Sequence, residues 1–281
     1  MTVKDSMEKA AHILKENKIE SPVKEAGVLL AYVLKKDVSW LYAHPEHCPG
    51  HDELTEFDAL VNKRSKRMPL QYITNSQEFM SLNFYVNRHC LVPRPETEIL
   101  VGEALKWIKN CCRDRVRVLD IGAGSGAICV SIAWYSGKTI IDALDISKRA
   151  LLVAEINAKK YHVDNRIKFI NADFTQWENE EIYNIIVSNP PYIPRKEIET
   201  LMPEVRDYEP LAALDGGRDG LKFYRSLAPR IKKLMAPGGA AFVEVGMDQA
   251  EQVVNIFREN GLNTSVFKDL AGIDRIVRIF F

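Results

Sequence analysis

Asn189-Pro190-Pro191-Tyr192 follows directly on the run Ile185-Ile186-Val187-Ser188, and no other segment of the sequence carries so much chemistry in so few residues. The apolar run reads as a buried strand that breaks abruptly into a loop. Two prolines fix φ and remove two amide donors, so acceptors dominate what the loop offers. The Asn189 side-chain oxygen and the Pro190 carbonyl can together accept both hydrogens of one NH2 group, and Tyr192 offers a face on which a planar group can stack. The nitrogen of an amide or an aniline-like amine is a poor nucleophile because its lone pair is delocalised. Hydrogen bonds to both of its hydrogens localise density on nitrogen and hold it for attack. Such a reaction runs on positioning and fixed dipoles, with neither a strong base nor a metal.

The electrophile needs its own site, and Asp120-Ile121-Gly122-Ala123-Gly124-Ser125-Gly126 is the candidate. It lies between a strand and a helix, where glycines permit a tight turn and close approach to a ligand. The Gly-x-Gly-x-Gly spacing differs from the dinucleotide pattern Gly-x-Gly-x-x-Gly, whose extra residue lets a pyrophosphate meet the helix N-terminus. S-adenosylmethionine has no phosphate and needs only a close glycine wall. Asp145 comes nineteen residues after Gly126, at the end of the next strand, where a carboxylate can accept both ribose hydroxyls. Asp173 and Phe174 follow the third strand. There Asp173 can hold an adenine amino group and Phe174 can cover the ring, or the pair can be a turn aspartate and a core phenylalanine.

These loops require a particular scaffold. From Arg115 onward strand and helix patterns alternate, beginning with Val116 to Asp120, Ala127 to Tyr135, Thr139 to Leu144, Lys148 to Tyr161 and Ile167 to Ile170. The alternation continues with a strand at Tyr183 to Ser188, a helix over Asp219 to Met235, a strand at Ala240 to Val245 and a helix over Gln249 to Asn260. Strands near Thr264 to Phe267 and Arg275 to Phe280 end the chain. Alternation of this kind predicts an α/β fold, a Rossmann-like seven-stranded sheet with ligands beyond the carboxyl ends of its strands. Residues 1–70 read as a small helical bundle, with Ser21 capping a helix that starts at Pro22. Residues 71–92 read as a linking β-hairpin, and 93–281 as the α/β domain, led by a helix from about Glu96 to Lys109.

Lys plus Arg number 38 and Asp plus Glu number 38, which argues against a protein that lives on bulk nucleic acid. The run Lys63-Arg64-Ser65-Lys66-Arg67 is expected to be a solvated helix end. No apolar stretch is long enough to span a membrane, and five scattered cysteines suit a reducing, cytoplasmic setting. His44, His47, Cys48 and His51 match no common zinc spacing and read as a solvated connection.

Beyond these local readings, a longer pattern resembles a known family. Pro69-Leu70-Gln71-Tyr72-Ile73, Glu78-Phe79, and Leu91-Val92-Pro93-Arg94-Pro95-Glu96-Thr97-Glu98 are similar to segments of the protein-(glutamine-N5) methyltransferases of peptide-chain release factors, the PrmC or HemK family. Gly122 to Gly126, Asp145, Asn189 to Tyr192, Tyr208-Glu209-Pro210, Asp215 to Leu221 and Glu244-Val245-Gly246 extend the likeness. The resemblance implies a class I methyltransferase fold, S-adenosylmethionine as cofactor, and as substrate the glutamine of the Gly-Gly-Gln loop of class 1 release factors. It assigns cofactor contacts to Gly122–Gly126, Asp145, Phe174 and Asn189, and amide binding to Asn189, Pro190, Pro191 and Tyr192, with the helical region gripping the factor. Asn75 and Ser81 stand where the family has glycines, which bears on the hairpin and on docking of the factor rather than on the chemistry. The alternative activity is adenine-N6 or cytosine-N4 methylation of a flipped base, which uses the same loop but ordinarily needs a sizeable basic recognition region.

Overall fold

Apolar residues at helical spacing build the N-terminal helices α1 (Val3–Glu16), α2 (Pro22–Leu34), α3 (Val38–Ala43), α4 (His51–Ser65) and α5 (Leu70–Thr74). Thr2 caps α1 in a capping box, its hydroxyl accepting from the Asp5 amide at 3.1 Å. Leu14, Leu29, Leu30, Leu41 and Phe57, all fully buried, form the centre of this unit's core. Pro22 does open α2, but Ser21 does not cap it. With φ −121° and ψ 59°, Ser21 lies outside the extended geometry from which a capping side chain reaches the first amides. In this computed structural model, which describes Met1 to Phe281, the chain divides into a unit of Met1–Ser76 with Met202–Tyr208 and a unit of Gln77–Leu201 with Glu209–Phe281.

The second unit opens with strands β1 (Gln77–Phe79) and β2 (Leu82–Phe84), an antiparallel hairpin shorter than the sequence suggests because residues 70–74 are helical. Asn75 takes the left-handed conformation that ends α5, at φ 52°. Met80 and Ser81 fill the two-residue turn at φ 51° and 57°, as tight hairpins demand. Without a glycine the turn is held by outside bonds. The Met80 amide donates to Glu98 Oε1 at 2.6 Å, and its carbonyl accepts from the Tyr135 hydroxyl at 2.7 Å.

There follow α6 (Thr97–Asn110), β3 (Val116–Ile121), α7 (Ala127–Tyr135), β4 (Thr139–Asp145), α8 (Lys148–Lys160), β5 (Ile167–Asn171) and β6 (Tyr183–Ser188). The turn α9 (Pro203–Arg206) lies in the segment that belongs with the N-terminal helices. The chain continues through α10 (Lys222–Leu227), α11 (Ile231–Leu234), β7 (Met235–Glu244), α12 (Ala250–Glu259), β8 (Asn263–Lys268) and β9 (Asp274–Phe280). The one helix expected over residues 219–235 is two short ones separated by a 3₁₀ turn at Ala228–Arg230, where Pro229 has no amide to continue the ladder. Strand β7 also starts earlier than the apolar pattern indicates, at Met235, and pairs with β6 across an irregularity at Tyr183/Ile185.

Seven strands form one sheet in the order β5-β4-β3-β6-β7-β9-β8, parallel from β5 to β7 and antiparallel at β9 and β8. Strands β3 and β6 are almost wholly buried, as expected where helices cover both faces.

The basic run of residues 63–67 departs from expectation. Arg64 is buried, pairs with Glu25, and meets Glu204 at 3.0 Å, while Arg67 reaches the other Glu204 oxygen at 2.6 Å. Glu204 sits on α9, so these cations serve an internal ion cluster of the helical unit rather than a solvated helix end. His44 stacks on Trp40 at 4.4 Å, and no group of three or more histidine, cysteine or acidic side chains is placed to hold a metal. No helix is long and apolar enough to cross a membrane.

Candidate active site

The order in which strands are added reverses between the parallel neighbours β3 and β6, so the loops after these two strands leave the same edge side by side. The Ser188 hydroxyl donates to the Ile121 carbonyl at 2.6 Å and locks the two strand ends together.

On the β3 side the backbone folds into a cup. Gly122 has φ 82°, and a Cβ there would meet nothing nearer than the Asn189 carbonyl at 3.9 Å. Glycine is thus set by backbone conformation, and the space in front of it stays open. The Gly122 and Ala123 amides donate to the Leu144 carbonyl at 2.8 and 3.0 Å. Asp145 then does more than the sequence suggests: its two oxygens accept the Gly124 and Ser147 amides, each at 2.8 Å. Burial pushes its carboxyl up while these amide bonds pull it down, the net direction being up. Ser147 caps α8 by accepting the Ala150 amide. Asn157, fully buried on α8, donates to the carbonyls of Ser125 and Tyr85 at 2.9 Å and so ties the loop to the chain beyond the hairpin.

On the β6 side the prolines remove donors, and the Asn189 side chain is held from one end only. Its Nδ2 donates to Thr97 Oγ1 at 3.0 Å, and Thr97 in turn donates to Glu244 Oε2 at 2.6 Å. Glu244 ends β7 almost fully buried, and burial raises its carboxyl to about 7.

Between the two loops lies a cavity of about 690 Å³, within the range of small-molecule sites. Gly122, Ala123, Gly124, Ser125, Asp145, Asp173, Phe174, Asn189, Pro190 and Pro191 all line it. Two residues singled out from the sequence do not. Gly126 is turned into the fold, where a Cβ would lie 3.0 Å from the Ala154 Cβ. Tyr192, expected to stack on a planar group, instead points its hydroxyl at Glu244 Oε1 at 3.4 Å and packs beside Gly246. Asp173 accepts the Thr175 amide and hydroxyl through one oxygen, in a local turn. Phe174 lines the cavity but is also a core residue, with the Arg230 guanidinium 4.5 Å from its ring centroid. Both residues thus line the cavity while Asp173 also shapes a turn and Phe174 also belongs to the core.

Sequence reasoning gave no role to Thr97 or Glu244, although both fall inside segments noted for their resemblance. A glutamate closing the apolar run Ala240 to Val243 was the available signal. Leu91, Pro93 and Phe223 also form part of the cavity wall, a role the sequence does not reveal.

A glycine cup with an acidic residue on the next strand, facing an Asn-Pro-Pro loop on this seven-stranded sheet, defines an S-adenosylmethionine-dependent methyltransferase of class I. Comparison with known proteins agrees and is more specific. Residues 5–74 match the family "PrmC N-terminal domain" and residues 100–204 the family "Methyltransferase small domain". The chain is 41% identical to the release factor glutamine methyltransferase of Clostridium acetobutylicum, over 99% of this chain and 98% of that one. It is 38% identical to that of Geobacter sulfurreducens, over 98% and 95%. The chain belongs to the family of release factor glutamine methyltransferases. A crystal structure of a methyltransferase from Pyrococcus furiosus shares the fold, with TM-score 0.51 and 17% identity over 78% of this chain and 98% of that one.

Proposed function

We propose that this enzyme methylates the side-chain amide nitrogen, N5, of the glutamine in the Gly-Gly-Gln loop of class 1 peptide-chain release factors. The observation that carries this reading is the single cavity walled on one side by Gly122–Ser125 and on the other by Asn189–Pro191. S-adenosylmethionine, when bound, supplies an electrophilic methyl group on sulfur. The residues fit it: the cup before Gly122 is open, the wall is largely apolar, and Asp145 faces the cavity with a carboxylate bound only by backbone amides. Asp145 would take the ribose hydroxyls, Asp173 and Phe174 the adenine, and Gly122 to Ser125 the remaining length.

Asn189 Oδ1 and the Pro190 carbonyl would accept the two hydrogens of the glutamine amide. Asn189 Nδ2 is already committed to Thr97, so its oxygen is the atom left for substrate. Fixed acceptors raise density on an otherwise delocalised nitrogen without any reorganisation at the moment of reaction. Pro191 keeps competing donors out of the loop, and Tyr192 supports the loop from behind. The helical unit would grip the factor, the reaction would take place in the cytoplasm where translation occurs, and no stable binding of nucleic acid is required.

The test is transfer of labelled methyl to a class 1 release factor, beside the same factor with its Gly-Gly-Gln glutamine changed to alanine. Label in the first and none in the second is expected. Label in neither, together with label in DNA or RNA, would replace this reading with base methylation.

A further inference from the structure

The polarity of the Asn189 amide is fixed by a chain of two hydrogen bonds that starts at a buried carboxylate. An ionised carboxylate only accepts, so the contact of 2.6 Å between Thr97 Oγ1 and Glu244 Oε2 commits the Thr97 hydroxyl hydrogen to Glu244. A hydroxyl has one hydrogen, and Thr97 therefore shows its neighbour a lone pair. The group that meets that lone pair at 3.0 Å must be a donor, which selects Nδ2 of Asn189 and turns Oδ1 the other way. All three groups lie in the second unit, on α6, on the loop after β6 and at the end of β7. Thr97 itself lines the cavity, whereas Glu244 is behind it and 2% exposed.

We infer that Thr97 and Glu244 are positioning residues for methyl transfer: acting in series, they hold the Asn189 side-chain oxygen toward the substrate nitrogen. This rests on the reading of Asn189 as an amide acceptor. The surroundings support it. Burial lifts the Glu244 carboxyl to about 7, with Glu96 raising it further and Arg275 lowering it, while Tyr192 donates to its other oxygen and the Tyr224 hydroxyl donates to its backbone carbonyl. Once protonated, Glu244 can donate to Thr97. The hydroxyl would then turn its hydrogen to Asn189, and the amide would have to present oxygen to Thr97 and nitrogen to the substrate. An NH2 group facing an NH2 group cannot accept. The series therefore acts as a polarity switch, on when Glu244 is ionised.

The sign follows from the chemistry: turnover is full above about pH 7 and falls as pH drops through it. Thr97→Ser keeps the hydroxyl and is expected to keep kcat within about twofold and the same acidic fall. Thr97→Val removes the hydroxyl at equal size. It is expected to lower kcat roughly 10- to 100-fold, to leave cofactor affinity by calorimetry within about threefold, and to lose the acidic fall near pH 7. Wild-type turnover and an unchanged pH profile in folded Thr97→Val would overturn the inference. If that variant does not fold, a Thr97→Ser enzyme that loses turnover, or a wild-type profile flat across pH 6–8, would overturn it equally. A wild-type enzyme that methylates no release factor while binding cofactor would instead strike at the proposed function and is a separate result.

Discussion

The two loops that face each other across the cavity leave neighbouring strands, yet they are built in opposite ways. The loop after β3 is rich in amides: those of Gly122, Ala123 and Gly124 all find acceptors, and one of these is the Asp145 carboxylate. The loop after β6 is poor in amides, because Pro190 and Pro191 have none, and its Asn189 side chain is held by a hydroxyl. One loop shapes a backbone surface, and the other aims a single oxygen. The difference teaches that the glycine loop is specified by conformation and the Asn-Pro-Pro loop by polarity, so substitutions in the two should fail differently.

The largest effect is expected at the aimed oxygen. Asn189→Ala should lower kcat roughly 10- to 100-fold, because a desolvated NH2 left unpaired costs about 1–3 kcal/mol. Cofactor affinity measured by calorimetry should change far less. An Asn189→Ala enzyme that turns over normally would break the comparison on the acceptor side. Next comes the shape of the opposite loop. Gly126→Ala places a Cβ 3.0 Å from Ala154 at φ 81°. It should destabilise the fold by about 2 kcal/mol, read as a lower melting temperature. A variant that melts like the wild type would show that conformation is not what this loop specifies.

A third measurement sharpens the polarity side. Glu244 has a folded value of about 7 against an ordinary 4.5, so the folded state binds its proton more tightly than the unfolded chain. Its effect on stability is most favourable below pH 4.5 and is lost as pH rises through 7. Subtracting the pH–stability curve of Glu244→Gln from that of the wild type should leave a decline on the order of 3 kcal/mol across that window. A rise instead of a decline would mean that the carboxylate is favoured where it lies. The smallest effect is expected from Asp145→Asn, which keeps one acceptor and gives up the charge. Cofactor affinity should fall roughly tenfold, about 1.4 kcal/mol, with kcat at saturation nearly unchanged. Unaltered affinity would remove Asp145 from the ribose.

Much of this was legible in the sequence because it is local. The glycine loop and the Asn-Pro-Pro loop are contiguous, and each announces itself by residues with unusual backbone rules. The alternation of strands and helices likewise gave the sheet. Reading failed where a contact spans the chain. Thr97 and Glu244 are 147 positions apart, and neither residue type is unusual for its element. The turning of Tyr192 away from the cavity depends on Glu244 and Gly246, which the sequence around Tyr192 does not reveal. Pro229 lies inside the stretch 219 to 235, whose apolar residues continue on both sides of it, so the break is not marked by the pattern. The buried Arg64 was hidden for a similar reason: its partners Glu25 and Glu204 lie 39 and 140 positions away, and a basic run looks solvated until they are known.

The excursion of Met202–Tyr208 into the helical unit has a consequence for synthesis. A ribosome that has released the first 76 residues has delivered five helices and a cationic side chain, Arg67, whose carboxylate partner has not yet been made. Glu204 emerges only after strand β6 and its acceptor loop. The N-terminal helices can therefore gather early but can be completed only late, and a nascent chain cut before residue 204 should expose this as a helical unit that protease digests more readily than the same residues in the finished protein.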